Sequence, residues 1–404
     1  MISRDAYVDT LWRWKDKPII KVITGARRCG KSTLMELFKQ RLLCNGVSAD
    51  HVVHINLELL ENERLLDYHA LHEEILARCQ TNGMHYVLLD EVQSVPEFQK
   101  AIDSLQAHNN IDLYITGSNA YLLSGTLATL LSGRYVEIRM LPFSFAEYAE
   151  SQLDSHASAT RLWSEYLHEG SFPAVTQLGH NDALTHDYLE GILNTILIKD
   201  VSQRIKADAL TLRGLVAFLY DNIGNLSSPA SISKAMAAAQ QSVSAPTVSR
   251  YLDALTAAFL VYPAERYDVR GKRLLKQEKK YYAVDMGLRR ILCSNDVRDT
   301  GRILENVVYL ELLRRENNVY VGQGPSGEID FVTNGPQGIK YWQVSESVTN
   351  GETLRRELSS FEGIRDNYPK TLITLDDVRE QSHQGIRQVY ALDWLRQQAP
   401  IASL

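Results

Sequence analysis

Long apolar runs are missing from this 404-residue sequence. No segment approaches the roughly 18 consecutive apolar residues that a membrane span requires. The first twenty residues, MISRDAYVDTLWRWKDKPII, also lack the uninterrupted apolar stretch of a signal peptide. We therefore expect no export, no membrane partner and a cytoplasmic location.

Cysteine is scarce as well. The four cysteines are widely spaced, with no C-x-x-C pair and no histidines at zinc-finger spacing. This pattern argues against a disulfide scaffold and against a cysteine-based zinc site. Reduced thiols in a cytosolic protein are the simplest account of it.

An excess of positive charge is also absent, because the net charge is −6. This balance argues against a protein that coats nucleic acid indiscriminately, although a local basic patch can lie within an acidic total. A hydrophobic content of 45% and a charged content of 23% are ordinary for a globular protein. At about 150 residues per domain, the length predicts two or three domains.

What the sequence does contain is a phosphate-binding loop. GARRCGKS at residues 25–32 fits the pattern G-x-x-x-x-G-K-[ST], between an apolar strand-like run at 19–24 and a helical pattern from residue 33. The two glycines allow a tight turn whose amides converge on an anion, and the helix that follows adds its positive dipole end. We expect this loop to bind ATP through Gly25, Ala26, Arg27, Arg28, Cys29, Gly30, Lys31, Ser32 and Thr33.

The loop residues have distinct expected roles. Lys31 reaches the β- and γ-phosphates, and the Ser32 hydroxyl completes a Mg²⁺ shell. Cys29 is expected to be a passive small residue, because a reactive cysteine needs a lowered thiol pKa.

Two carboxylates end the apolar strand HYVLLDE at residues 85–91. Asp90 is placed to hold the Mg²⁺ shell through water, and Glu91 to polarise the water that attacks the γ-phosphate. A third apolar strand, IDLYITG at 111–117, ends in Ser118 and Asn119. In P-loop ATPases that insert a strand between the loop strand and the Mg²⁺ strand, this position senses the γ-phosphate.

Arg134 stands just before a fourth strand, YVEI at residues 135–138. An arginine at such a turn can stabilise transition-state charge, in its own subunit or in a neighbour's site. It can equally pair with an acidic neighbour such as Glu137, and motif spacing does not decide between these readings.

The alternation of strands and helices predicts a parallel three-layer α/β/α domain over residues 1–150. Residues 151–207 have the apolar spacing of helices and are read as a helical connector or lid. Residues 208–290 have the pattern of a winged helix, with three helices followed by a two-stranded wing rich in cations. In a helix-turn-helix, the third helix would bring Thr247, Ser249 and Arg250 to DNA, while wing residues Arg270, Lys272 and Arg273 hold the phosphate backbone.

Several blocks of the chain resemble those of prokaryotic predicted AAA-type P-loop ATPases. They are GARRCGKST, VLLDEVQ, TGSNA, SGRYVEIRMLPFSFAEY, GRILENVVYLELLRR and GEIDFV. The resemblance covers nearly the whole chain. It implies nucleotide binding and hydrolysis, and a C-terminal domain of unknown function with restriction-endonuclease-like character.

Residues 291–404 are accordingly read as a restriction-endonuclease-like α/β domain. Glu305 lies in a helical pattern, Asp330 lies in a strand pattern, and a third motif lies in the next strand. This is the order found in such nucleases, in which Asp and Glu hold Mg²⁺ and a Lys activates water. The last motif here is Gln343-Val344-Ser345, and neutral Gln and Ser replace neither the metal-binding carboxylate nor the lysine. We therefore expect a catalytically degenerate face, formed by Glu305, Glu328, Asp330, Gln343 and Ser345.

The leading interpretation is a Mg²⁺-dependent ATPase that couples nucleotide state to assembly, as a homo-oligomer, or to contact with a partner protein or DNA. One alternative is a DNA-binding protein or metal-dependent nuclease with an auxiliary ATPase. Another is a nucleotide-gated scaffold that hydrolyses slowly.

Overall fold

The computed structural model describes residues 2–120, 133–152, 157–293, 299–316, 318–335, 338–378, 380–397 and 399–402. The chain divides into two compact units. The first comprises residues 1–141 and 400–404, and the second comprises residues 142–399. The first unit therefore ends before the boundary predicted at residue 150.

A parallel five-stranded sheet forms the centre of the first unit in the part of the chain that is described. Its spatial order is β2-β3-β4-β1-β5. The strands are β1 (Ile20–Thr24), β2 (Val52–Asn56), β3 (His85–Asp90), β4 (Ile111–Gly117) and β5 (Tyr135–Arg139). Strand β4 lies between β1 and β3, as the sequence predicts for an inserted strand.

Helices cover both faces of this sheet. They are α1 (Asp5–Trp14), α2 (Lys31–Cys44), α3 (Tyr68–Arg78) and α4 (Phe98–Gln106), with short 3₁₀ turns at Ala49–His51, Leu60–Leu66 and Val92–Ser94. Apolar residues of α1 and α2 pack with Ile23 on one face. Those of α3 and α4 pack with Val22 on the other. Because neighbouring residues of a strand point to opposite faces, β1 joins both cores of a three-layer α/β/α unit.

A buried ion pair lies in the α1–α2 layer. Lys21 of β1 and Asp112 of β4 are fully or almost fully buried, and the ammonium donates to the carboxylate. Asp112 also accepts from the Tyr114 hydroxyl (2.9 Å) and from the Asp16 N–H (3.0 Å). Burial outweighs the pairing for both charges: it lowers the pKa of Lys21 and raises the pKa of Asp112.

The second unit begins with helices. Those described before the first strand are α5 (Phe145–Ser151), α6 (Ala159–Glu169), α7 (Asp182–Thr195) and α8 (Ala209–Asp221). A 3₁₀ turn at Pro173–Gln177 separates α6 from α7, and a π-helical segment, Ile196–Ser202, extends α7 towards the short helix Gln203–Ile205. Side-chain caps fix several starts. The Ser144 and Glu147 side chains form a capping box at α5, and Asp208 accepts from Thr211 at α8.

Two further helices, α9 (Pro229–Ala238) and α10 (Ala245–Ala257), follow where the sequence pattern indicated the second and third helices of a winged helix. A short strand, β6 (Leu226–Ser227), precedes them, and a long hairpin of β7 (Val261–Asp268) and β8 (Arg273–Ala283) follows. β6 pairs with β8 in antiparallel fashion.

This hairpin does not end a separate domain. In the described residues it joins a nine-stranded sheet of order β13-β14-β12-β11-β10-β9-β7-β8-β6, because β7 pairs in parallel with β9. The remaining strands are β9 (Val319–Gln323), β10 (Glu328–Gly335), β11 (Gly338–Ser345), β12 (Lys370–Thr374), β13 (Gln381–His383) and β14 (Ile386–Tyr390). The boundary predicted at residue 290 is therefore not observed: backbone hydrogen bonds cross it.

The helices of this C-terminal part are α11 (Met286–Leu292), α12 (Thr300–Arg315), α13 (Gly351–Ser359) and α14 (Ala391–Arg396). None of the helices in the described parts of the chain has both the length and the apolarity to cross a membrane.

We predict that Lys21→Met destabilises the first unit by about 3–5 kcal/mol, because it leaves Asp112 buried without its counter-charge. Urea unfolding followed by circular dichroism measures the change. Lys100→Met is the matched control, since Lys100 pairs with Glu97 (2.6 Å) on the surface and its loss is expected to leave the unfolding midpoint unchanged. A Lys21→Met protein as stable as wild type would contradict the assigned role of the pair.

Candidate functional site

The loop between β1 and α2 is shaped by backbone that other residue types do not adopt easily. Gly30 has a φ of 104°, in the left-handed region, directly before α2 begins at Lys31. Gly25 lies so close to the Met140 carbonyl oxygen that an added Cβ would clash with it. Arg28 also has a positive φ, 66°. The loop thus takes the tight turn for which the two motif glycines are needed.

Lys31 is buried, with 4% of its surface exposed. Its ammonium donates to the carbonyl oxygens of Gly25 (3.2 Å) and Ala26 (3.3 Å) and lies 3.3 Å from Glu91 Oε1. Three acceptors therefore match the three protons of the ammonium. The structure brings the loop, the lysine and the second acid of the β3 end together.

Asp90 and Glu91 are held by the neighbouring strands. The Thr116 hydroxyl of β4 donates to Asp90 Oδ1 and accepts from the Glu91 N–H (2.9 Å). Asn56, at the end of β2, donates to Asp90 Oδ2 (3.4 Å). Glu91 itself has a left-handed φ of 54°, a conformation that is uncommon for a non-glycine residue and that turns its side chain away from the strand direction.

The environment of Glu91 favours the carboxylate form. Burial by itself raises the pKa of Glu91, but the ammonium of Lys31, a hydrogen bond from Gln93 and the charge of Arg27 outweigh it, so the pKa is below its ordinary value. Gln93 Nε2 donates to Glu91 Oε2 and lies 3.4 Å from the Ser118 hydroxyl. Ser118, the predicted sensor, is thus linked to Glu91 through one amide. Asn119, the residue after Ser118, is also buried.

The other predicted loop residues differ in exposure. Arg28, Ser32 and Thr33 are exposed, whereas Ala26 and Cys29 are buried. Arg27 pairs with Glu58 (3.3 Å). Burial raises the pKa of the Cys29 thiol, which keeps the thiol protonated and unreactive. This agrees with the passive role expected from the sequence.

The predicted metal ligands suit a magnesium ion that is held mainly by phosphates. No group of three or more His, Cys, Asp or Glu side chains could hold a metal ion among the described residues. Mg²⁺ in nucleotide sites needs only one or two carboxylates besides phosphate oxygens and water. The exposed Ser32 hydroxyl and the carboxylate of Asp90 are such donors, so the residues present fit the ion.

Arg134 is not brought to this site. It precedes β5 at the end of the sheet where β1 begins, because the Arg134 carbonyl accepts from the Ile20 N–H (2.9 Å), and the phosphate loop leaves the opposite end of β1. Its guanidinium pairs instead with Asp103 (3.0 Å), and 59% of its side chain is exposed. The alternative partner Glu137 accepts from the Thr24 hydroxyl (2.5 Å).

Sequence reasoning missed four residues of the site: Thr116, Asn56, Gln93 and Arg4. The Arg4 guanidinium donates to the carbonyl oxygens of Cys29 (3.4 Å) and Leu141 (2.9 Å), which ties the phosphate loop to the segment after β5. Polar residues at the carboxyl ends of β2 and β4 were the available signal for Asn56 and Thr116. No pattern in the sequence indicated Arg4.

The predicted DNA contacts in the second unit lie on exposed or half-buried surface. Thr247 is in the first turn of α10, where its N–H donates to Ser244 (3.3 Å), and Ser249 is half-buried. Arg250 is exposed, with its guanidinium 5.7 Å from the centre of the Tyr251 ring. The turn between β7 and β8 carries the predicted wing cations, Arg270, Lys272 and Arg273, all exposed.

The predicted nuclease face is occupied by hydrogen bonds within the protein. The side-chain amide of Gln343 donates to Glu357 (2.9 Å) and accepts from the Asp330 N–H (3.3 Å) and the Ser360 hydroxyl (3.2 Å). The Ser345 hydroxyl donates to the Ser347 carbonyl (3.3 Å). Gln343 thus has the contacts of a structural residue.

Lys280 of β8 supplies a cation to this face. Its buried ammonium lies 3.0 Å from Glu305 and 2.7 Å from Glu328. Burial lowers the pKa of Lys280, but the carboxylates of Glu305, Asp330 and Glu328 outweigh burial and raise it above its ordinary value. Burial and Glu305 raise the pKa of Asp330. One buried ammonium therefore lies among these acids and offsets part of their charge.

Two family models match the chain. An AAA domain matches residues 17–149, which include the phosphate loop, Asp90, Glu91 and Ser118. A domain of unknown function (DUF8612) matches residues 160–299, a range that begins in α6 and extends past β8 and α11.

Similar solved structures include AMPPCP-bound DnaA from Aquifex aeolicus, with a TM-score of 0.34 and 13% identity over 63% of this chain and 88% of that one. Aeropyrum pernix ORC1 in complex with DNA has a TM-score of 0.29 and 14% identity over 72% of this chain and 90% of that one.

Two relatives found by sequence match most of this chain. An uncharacterized protein of Methanocaldococcus jannaschii is 28% identical over 89% of this chain and 82% of its own. An uncharacterized protein of Haemophilus influenzae is 39% identical over 401 residues, which are 98% of this chain and 99% of that protein. The chain therefore belongs to the same family as this Haemophilus influenzae protein, and its residues 17–149 match the model of an AAA domain.

Proposed function

We propose that the protein binds ATP with Mg²⁺, hydrolyses it, and couples the nucleotide state to a change of assembly or of contact with a partner. The observation that carries the proposal is the position of the Lys31 ammonium. It bridges the phosphate-loop carbonyls and Glu91 Oε1 at 3.2–3.3 Å. A buried cation beside a glycine-rich turn and an ionised carboxylate is the arrangement that a triphosphate requires.

Each residue has a chemical role in this proposal. The amides of the loop and the start of α2 bind phosphate oxygens, and Lys31 exchanges its carbonyl acceptors for the β- and γ-phosphates. Ser32 and Asp90 would hold Mg²⁺, which neutralises charge on the phosphates when it is bound. Glu91 is kept ionised by its surroundings, so it can accept a proton from the attacking water. Ser118 or Asn119 would contact the γ-phosphate.

Arg134 has a proposed role in a neighbouring subunit only. It lies at the wrong end of its own sheet for the site of its own chain, but its guanidinium is exposed. An exposed arginine that is released from a weak surface pair can stabilise phosphoryl charge in another copy of the chain. We therefore propose a homo-oligomer as the active form.

DNA binding is the second candidate function, favoured by the exposed cationic turn between β7 and β8. Arg270, Lys272 and Arg273 lie together at the tip of this hairpin, and the side chain of Arg273 is 75% exposed. Cations at such a tip can contact phosphates without reading bases. We propose no nuclease activity for this unit, because Gln343 is engaged within the protein and Lys280 already pairs with Glu305 and Glu328.

We expect Lys31→Ala to weaken ATP binding and to lower the hydrolysis rate by about 10²–10³-fold, because the cation that faces the phosphates is lost. Glu91→Gln should retain ATP while its turnover falls about 10²–10⁴-fold. Nucleotide binding by fluorescence and phosphate release measure the two effects. Lys39→Ala, on the same helix, is the control and should resemble wild type. Wild-type activity in Lys31→Ala would make the assignment wrong, and tight binding with slow wild-type turnover would favour the scaffold alternative.

For Arg134, the specific activity should rise with protein concentration, and Arg134→Ala should remove this rise, because the arginine completes the site only in an assembly. Asp103→Ala is the matched control: it removes the surface partner but keeps the guanidinium, so the rise should persist. A concentration-dependent rise that survives in Arg134→Ala would contradict the proposal.

For DNA, replacing Arg270, Lys272 and Arg273 by Gln should weaken binding to duplex DNA. The slope of log affinity against log salt should become shallower by about two to three, since each phosphate contact contributes about 0.9. Lys39, Arg41 and Lys100 of the first unit, replaced together, provide a control of equal charge. If the hairpin variant and the control bind equally well, the hairpin is not the DNA contact. A wild-type protein that binds no DNA would point to a protein partner.

A further inference from the structure

Gln93 has a buried acceptor with no partner in the described parts of the chain. Its Nε2 donates to Glu91 Oε2 and lies 3.4 Å from the Ser118 hydroxyl, while its Oε1 is buried and makes no hydrogen bond among these residues. A buried polar atom left in this way destabilises the folded protein. Such an atom calls for a specific explanation, because most buried polar groups are paired.

The orientation of the amide follows from its neighbours. Turning the amide over would place Oε1 against the Glu91 carboxylate, where two acceptors would face each other. The donor side must therefore face Glu91, and the carbonyl oxygen must point elsewhere. The short 3₁₀ turn Val92–Ser94, which directly follows Glu91, brings the Gln93 side chain back to the acid two residues earlier.

Both oxygens of Glu91 are thereby held. Lys31 lies 3.3 Å from Oε1, and the Gln93 amide contacts Oε2. A water molecule that donates one proton to Glu91 has a second proton to place, and a nearby carbonyl oxygen without a donor can accept it. The hydroxyl of Ser118, the predicted contact of the γ-phosphate, lies next to the same amide. The Gln93 side chain would therefore be close to the water, the γ-phosphate and Glu91 at once.

We propose that Gln93 positions the attacking water: its N–H group orients the Glu91 carboxylate, and its Oε1 accepts a hydrogen bond from the water that Glu91 polarises. The inference rests on the proposed ATP hydrolysis and adds to it a residue that the P-loop motifs do not include. Water adds to the γ-phosphorus as the bond to the ADP oxygen breaks. Its proton passes to Glu91, and Gln93 exchanges no proton.

Gln93→Met tests the inference, because methionine has a similar shape but neither a strong donor nor a strong acceptor. We expect kcat for ATP hydrolysis to fall about 10–100-fold, as for a misplaced reactant, while the dissociation constant for ATP changes less than about twofold. Gln40→Met, an exposed glutamine on α2, is the matched control and should keep both values. A merely structural role for Gln93 would weaken binding together with turnover.

A double-mutant cycle with Glu91→Gln checks that Gln93 acts through Glu91. In the Glu91→Gln background, adding Gln93→Met should cause no further loss of rate, because the two residues serve one step. Additive losses would overturn the coupling, and a parallel loss of ATP affinity and kcat in Gln93→Met would overturn the positioning role.

The outcomes separate this inference from the proposed function. A wild-type protein that hydrolyses ATP, together with an equally active Gln93→Met variant, would overturn only the role of Gln93. A wild-type protein that binds ATP without any hydrolysis would overturn hydrolysis as the function, and the role of Gln93 with it.

Discussion

The ammonium of Lys31 is shared between two backbone carbonyls of the phosphate loop and the carboxylate of Glu91. This contact fixes the loop, the first turn of α2 and the end of β3 relative to one another. A buried lysine is costly unless its three protons have acceptors, and here the protein supplies all three. Nucleotide phosphates would replace the two carbonyls as acceptors, so the Lys31 ammonium would keep its hydrogen-bond partners when nucleotide binds.

The residues around this contact limit how the β3 end can move. Thr116 joins Asp90 to the backbone of Glu91, and Asn56 reaches Asp90 from the next strand. The left-handed backbone of Glu91 is maintained by these contacts. Three neighbouring strands therefore contribute one polar side chain each, and the parallel direction of the strands brings those side chains to the same edge.

Much of the first unit could be predicted from the sequence, because its signals are local. The phosphate loop, the apolar strands and the acids after β3 are each contained in fewer than about ten residues, and each implies its own geometry. Gln93 and Arg4 could not be found in this way. The role of Gln93 depends on a 3₁₀ turn that brings its side chain back to Glu91. That of Arg4 depends on contacts of its guanidinium with backbone carbonyls far along the chain. Neither produces a spacing pattern.

In the second unit, the limit of prediction from the sequence is clearer. Sequence periodicity indicated its helices and most of its strands, but it did not indicate which strands pair. The alternation of apolar and polar residues along β7 and β9 indicates which residues face a core, but it does not indicate which strands are neighbours. Lys280 lies in the stretch read as a cation-rich wing, but its burial depends on Glu305 of α12 and Glu328 of β10, which come 25 or more residues later.

The parallel pairing of β7 with β9 has a consequence for dissecting the protein. β7 is hydrogen-bonded on both sides, to β8 and to β9, so a fragment that ended near residue 290 would turn it into an open edge with unsatisfied amides and carbonyls. Such edges recruit strands from other molecules. Deletion of the C-terminal part would therefore yield a fragment prone to aggregation, and the hairpin of β7 and β8 is not a module that can be separated from the strands that follow it.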